Sequence, residues 1–386
     1  MSAPGSSAHE EMAMLRRSTT AAVTAIVTGV LLSAPSAAAA AAETCQGRPA
    51  TIVGTGPPIQ GTEGDDVIVT GASATTYAGA GDDLICVSSD VLGGIYVLAG
   101  EGDDVVDASR RAASSTSLTK ANLGNGLDRY IGSSAHDEVD AHGVDDDVVS
   151  ADQVQLDVSG PVPGPLGTYA STAWAGADTT VQGSIITVWS ADQGVEIDLA
   201  GHLAVAGVKA ADIAGFSIVS VVAPLAIVRG NAEDNMLRAS GCHVTIVGKG
   251  GDDYLDGYVG EDAPSFECLS ETSETTMRGG SGDDEMIGPF DAVGGPKAAG
   301  RYRLIGNAGS DKLRGGFLAD VLLGGRGHDE LSAGGGSDVL RGNQGRDTLR
   351  GDSGRDVLLG NRGRDHADGG SGRDGCVAER ERRCER

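Results

Sequence analysis

The sequence predicts an all-β chain wound as a solenoid of short stacked strands, and three observations carry that reading. Residues 306 to 377 divide without remainder into eight nonapeptides: GNAGSDKLR, GGFLADVLL, GGRGHDELS, AGGGSDVLR, GNQGRDTLR, GDSGRDVLL, GNRGRDHAD and GGSGRDGCV. Their sixth position is always aspartate, as Asp311, Asp320, Asp329, Asp338, Asp347, Asp356, Asp365 and Asp374. Their eighth is Leu313, Leu322, Leu331, Leu340, Leu349 and Leu358, then Ala367 and Cys376. Only a structure that repeats in space needs the same residue every nine positions.

Within one unit, glycine dominates positions one and four, and position two is Gly, Asn or Asp throughout. These residues tolerate a left-handed backbone best, so the first six residues are expected to form a tight turn and the last three a short strand. Alternation of period two then points the eighth side chain inward and its neighbours, such as Lys312, Glu330, Arg341 and Arg350, toward solvent. Two turns and two strands make an eighteen-residue coil, and stacked coils bury a continuous leucine column. Stacking also brings equivalent aspartates within roughly 5 Å of one another. Carboxylates at that distance repel by about 1 kcal/mol per pair in bulk water, and more at a protein surface. A cation between them is therefore expected. Turns rich in carbonyls and carboxylates offer only oxygen ligands, which favours a hard ion, Ca2+.

These units resemble the GGxGxDxUx repeats of the RTX, or haemolysin-type, calcium-binding proteins. The resemblance implies a parallel β-roll, a right-handed β-solenoid, with each calcium lying between one turn and the next on the same side, two nonapeptides later. Asp311 would share an ion with Asp329, and Asp320 another with Asp338, for at most six sites in this block. Two departures bear on that count. The second unit carries Phe317, Leu318 and Ala319 where the turn wants glycine. The last four place Arg346, Arg355, Arg364 and Arg373 just before the aspartate, where many RTX turns carry a second acid.

Taken in order, residues 1–42 read as a signal peptide, with Arg16 and Arg17, an apolar run from Ala21 to Leu32, and small residues from Ser33 to Ala42. The apolar run is about a dozen residues, too few to span a bilayer. A secreted, extracellular protein is expected, and in that compartment six cysteines suggest disulfides. Sequence proximity favours Cys45 with Cys86, Cys242 with Cys268, and Cys376 with Cys384, the last folding the charged tail 378–386 over the end of the column as a cap. Residues 43–150 form an irregular version of the repeat. The turns GTEGDDVI, AGAGDDLI and AGEGDDVV place Asp66, Asp83 and Asp104 at the sixth position, each behind an acid, and Asp128, Asp137 and Asp146 follow nine apart. Together with TCQGRPATIVGT, these turns resemble the amino-terminal end of secreted actinobacterial RTX-type proteins, whose cysteines correspond to Cys45 and Cys86. Residues 151–229 lose the repeat, with Pro161, Pro163 and Pro165 in a loop and β-branched runs such as SIITVW and VEIDLA beyond it. They read as degenerate solenoid or a small β insertion. Residues 230–305 regain the frame with insertions. Asp253 and Asp284 stand at the sixth position, but Asn235 and Val244 where aspartate would be.

The net charge is −26, and residues 306–386 hold 14 of the 55 acids and 14 of the 29 bases, so the whole excess lies upstream. Such a surface repels nucleic acid and anionic membranes and suits calcium ions as partners. H-E-x-x-H, G-x-S-x-G, the P-loop and the EF-hand loop are all missing from the sequence. His136 and His328 fall at the variable fifth position and His366 at the outward seventh, where they read as solvated side chains. The expectation is a non-enzymatic, calcium-binding β-roll that orders when the metal binds. The alternatives are a calcium-stabilised cell-surface adhesin using the 151–229 face around Trp174 and Trp189, or an enzyme with an unrecognised site there.

Overall fold

The computed structural model describes residues 43–56, 58–88, 94–111, 118–132, 136–141, 147–157, 180–190, 194–257, 274–288 and 300–385. All belong to the unit Ala42–Arg386. The signal segment, Asp146, the prolines at 161–165, Trp174 and Cys268 lie outside the described residues.

The fold is an all-β parallel β-roll: every helix or strand among the described residues is a strand. In the regular block, strands 18 residues apart stack in parallel register as two ladders. One carries Lys312–Arg314, Glu330–Ser332, Thr348–Arg350 and His366–Asp368, with Leu313, Leu331, Leu349 and Ala367 superposed. The other carries Arg301–Ala308, Val321–Gly327, Val339–Gly345 and Val357–Gly363, with Leu304, Leu322, Leu340 and Leu358 superposed. All of these inward side chains are fully buried. The flanking Lys312, Glu330, Arg341 and Arg350 are exposed. Each buried leucine contributes about 2 kcal/mol of hydrophobic stabilisation, so the periodic column holds the coils together.

On the second ladder the strands are longer than the three residues expected. Val339–Gly345 runs through the ninth residue into the first four positions of the next unit, because Asn307, Gly325, Asn343 and Asn361 pair across coils at position two. These residues keep φ between 71° and 127°, a backbone that Asn and Gly adopt most readily. Gly316, in the unit with Phe317 and Leu318, is the second-position residue without a positive φ.

The upstream coils use the same two ladders with other side chains. Ile68, Ile85, Val106 and Tyr130 are superposed on one, and Val97, Ala121 and Val139 on the other. Between residues 147 and 229 the first ladder runs on in parallel through Asp147–Asp157, Thr180–Trp189 and Ile218–Val222 to Met236–Ser240. The second is handed through an antiparallel meander, Val208–Ala214 on His202–Val205 on Gly194–Asp198, before Leu225–Arg229 resumes it. Cys45 and Cys86 are joined by a disulfide, as are Cys376 and Cys384. The first joins a small separate cluster of Cys45, Val67, Val69, Leu84 and Cys86 on the outer face of the first coils. Cys242 is disulfide-bonded as well.

Candidate metal centre

Each sixth-position aspartate ends a turn and starts a strand, so stacking the strands stacks the carboxylates. Asp66, Asp83, Asp104, Asp128, Asp253, Asp284, Asp311, Asp320, Asp329, Asp338, Asp347, Asp356, Asp365 and Asp374 are all buried. They fall into columns joined by one repeated hydrogen bond, in which the amide N–H of one residue donates to Oδ1 of the aspartate a coil later. On the first ladder the donors run from Asn235 to Asp253 (2.9 Å), Asp253 to Asp284 (3.0 Å), Asp284 to Asp311 (2.9 Å) and Asp311 to Asp329 (3.0 Å). They continue through Asp347 to Asp365, each step 3.0 Å. On the second, Asp66, Asp83 and Asp104 donate to Asp83, Asp104 and Asp128 at 2.7 to 2.8 Å. Farther along that ladder Tyr302, Asp320, Asp338 and Asp356 donate to Asp320, Asp338, Asp356 and Asp374 at 2.7 to 3.0 Å. The bond is the same whether the partners are 17 or 31 residues apart in sequence.

The second carboxylate oxygen decides what the columns can hold. In Asp83, Asp104, Asp253, Asp284, Asp311, Asp329, Asp338, Asp347, Asp356, Asp365 and Asp374, Oδ2 is buried with no hydrogen-bond partner. A buried, unpartnered anionic oxygen is strongly unfavourable without a cation. The turn is shaped around it. A Cβ added at Gly306, Gly324, Gly342 or Gly360 would lie 2.0 to 2.5 Å from Oδ2 of the aspartate in its own unit. In these four units position one is glycine because the carboxylate occupies the space a side chain would take. Asp66 and Asp320 differ from the rest. Oδ2 of Asp66 accepts from the Thr62 amide and hydroxyl at 2.8 and 3.0 Å, and that of Asp320 from the Gly316 amide at 2.7 Å.

Burial, reinforced by neighbouring aspartates, pushes the carboxyls of Asp104, Asp284, Asp311, Asp329 and Asp338 up to about 7. Burial likewise lifts Asp83, Asp253 and Asp320 to about 6, and raises Asp347 and Asp356. No three His, Cys, Asp or Glu side chains converge as a metal cluster among the described residues. A metal here would draw on paired carboxylates and main-chain carbonyls, an all-oxygen set that fits calcium.

Several features were not visible in the sequence. Upstream, the exposed fifth-position acids form a ladder of their own with opposite polarity: the Asp82 and Asp103 amides donate to Oδ1 of Asp65 and Asp82, both at 3.0 Å. Asp252, Asp283 and Ser310 donate in the same way to Asp234, Asp252 and Asp283 at 2.6 to 2.8 Å. His328 belongs to this fifth-position ladder and is not merely solvated, since its Nδ1 accepts from the Arg346 amide at 2.9 Å. Tyr302 occupies the second column just ahead of Asp320, in line with Thr275 and Val244. Glu379 ends the first column, its Oε2 accepting from the Asp365 amide at 2.8 Å. His136, His243 and His366 are exposed. Trp189 is half-buried and in register with Val222.

The family model described as RTX calcium-binding nonapeptide repeat (4 copies) matches residues 59–74, 228–263, 305–340, 314–349 and 341–376. No curated protein matches the chain. The matched segments contain Asp66, Asp253 and the eight aspartates of the regular block. Asp83, Asp104, Asp128 and Asp284 lie outside them but share the same column geometry.

Proposed function

From a chain that carries RTX calcium-binding repeats folded as a β-roll, we propose a secreted protein whose Ca2+ ions, bound between stacked turns, are required for folding, and which has no catalytic role. The observation that carries this reading is the set of eleven buried Oδ2 atoms without a partner. Calcium supplies compensating positive charge to oxygen ligands and would be held by the stacked aspartate pairs, such as Asp329 with Asp347 and Asp338 with Asp356. Without it, the roll must keep raised-pKa carboxyls buried, and the metal's binding energy becomes folding energy. Two disulfides at opposite ends of the sequence support an oxidising compartment. No helix among the described residues is long and apolar enough to cross a membrane.

The test is circular dichroism and calorimetric titration of the chain lacking residues 1–42, with and without calcium. The expected result is a gain of β signal with several ions bound per chain. Equal folding in chelator and in calcium, with no metal retained, would overturn it.

A further inference from the structure

We infer that Glu379 is a metal ligand, closing the first aspartate column with one more cation site, between Asp365 and the tail. This rests on the calcium reading above and adds a residue that lies outside every repeat.

The strand Arg380–Arg382 pairs in parallel with His366–Asp368, matching His366 to Arg380 and Asp368 to Arg382. Glu379 therefore stands opposite Asp365, where the regular period would have brought a sixth-position aspartate. The spacing is 14 residues rather than 18, so the turn leading to it is four residues shorter. The disulfide between Cys376 and Cys384 fixes the segment on both sides of Glu379. The carboxylate reproduces the column's own bond, accepting the Asp365 amide at 2.8 Å, as Asp365 accepts that of Asp347 at 3.0 Å.

Two further observations point to a cation in the gap. Oδ2 of Asp365, a residue 1 % exposed, has no partner. The tail also has arginines to spare: Arg383 is ion-paired with Asp368, three residues beyond Asp365, and Arg382 lies 4.0 Å from the same carboxylate. A tail that only neutralised its end would set one of these over Asp365 too. It sets the exposed Glu379 there instead, and a second carboxylate one coil beyond Asp365, whose own buried Oδ2 is free, calls for a divalent ion at that step of the column.

The test is calcium titration calorimetry on the full mature chain carrying Glu379→Gln, which keeps an oxygen acceptor for the Asp365 amide and removes the charge. One ion fewer per chain is expected, or a weakening of one site by at least about tenfold, with the unfolding midpoint in chelator unchanged. Asp365→Asn should weaken the same site and its neighbour in the column. An isotherm for Glu379→Gln superposable on the parent's would overturn the assignment, leaving Glu379 as an amide cap. A parent chain that takes up no calcium would instead defeat the underlying reading.

Discussion

The turns at 61–66, 78–83, 99–104, 248–253 and 279–284 carry acids at both the fifth and sixth positions, whereas those at 342–347, 351–356, 360–365 and 369–374 carry arginine at the fifth. Both sets bury the sixth-position aspartate and leave the fifth residue exposed. The inner column is thus common to the two regions, and what differs is the charge stacked over it. Upstream, a second ladder of carboxylates about one strand spacing apart adds roughly 1 kcal/mol of repulsion per neighbouring pair. In the regular block, arginines place positive charge beside the same buried column. If the columns hold calcium as proposed, dependence on the metal should be set in part by this solvent-facing fifth residue, which lies outside the buried column.

Chelation should separate the regions most. Hydrogen exchange read peptide by peptide is expected to show residues 61–131 and 236–287 losing protection in chelator while 306–377 retains part of its own. Equal loss would break the comparison. Next come truncations of the core, in which Ile85→Ala and Leu340→Ala should each cost about 2–5 kcal/mol with calcium present. The two are expected to be alike by denaturant titration, because both side chains are fully buried in their columns; a much larger effect upstream would mean that packing, not charge, separates them.

The third prediction concerns protons. Asp104 has its folded pKa raised to about 7 by burial and by Asp128 and Asp83. A raised carboxyl favours the folded state fully below pH 4, and that advantage is lost as pH climbs through about 7. Without metal, the protein should therefore be more stable at pH 5 than at pH 8. Asp104→Asn should shrink that difference by up to about 3 kcal/mol. With calcium the order should reverse, since protons compete with the ion for the same oxygens; denaturation midpoints at the two pH values check both. The smallest effect is expected from Arg346→Asp, which rebuilds an upstream-type acid pair with Asp347. It should raise the calcium concentration at the folding midpoint, by an amount equivalent to about 1 kcal/mol or less.

A nine-residue period makes much of this readable in advance, because side chains at one phase of the repeat must lie above one another. The buried leucines and sixth-position aspartates of 306–377 follow from it directly. The period cannot say which ladder a coil joins once insertions intervene: Asp253 and Asp284 are 31 residues apart yet adjacent. Nor does it reach the handover at 194–214, where pairing turns antiparallel. His328, Tyr302 and Glu379 escaped for a related reason. Each enters the columns through a main-chain position that backbone pairing fixes, and none carries the residue type the repeat would ask for. For Glu379 one signal was present, an acid in an arginine-rich tail stapled by two cysteines.

The amide-to-carboxylate bonds of the inner columns all point one way along the chain, each residue donating to a later coil and accepting from an earlier one. Loss of a single aspartate therefore orphans the N–H of the coil before it and leaves the coil after it intact. Within the inner columns such damage falls on the amino-terminal side alone, against the polarity of the fifth-position ladder, whose amides donate the other way.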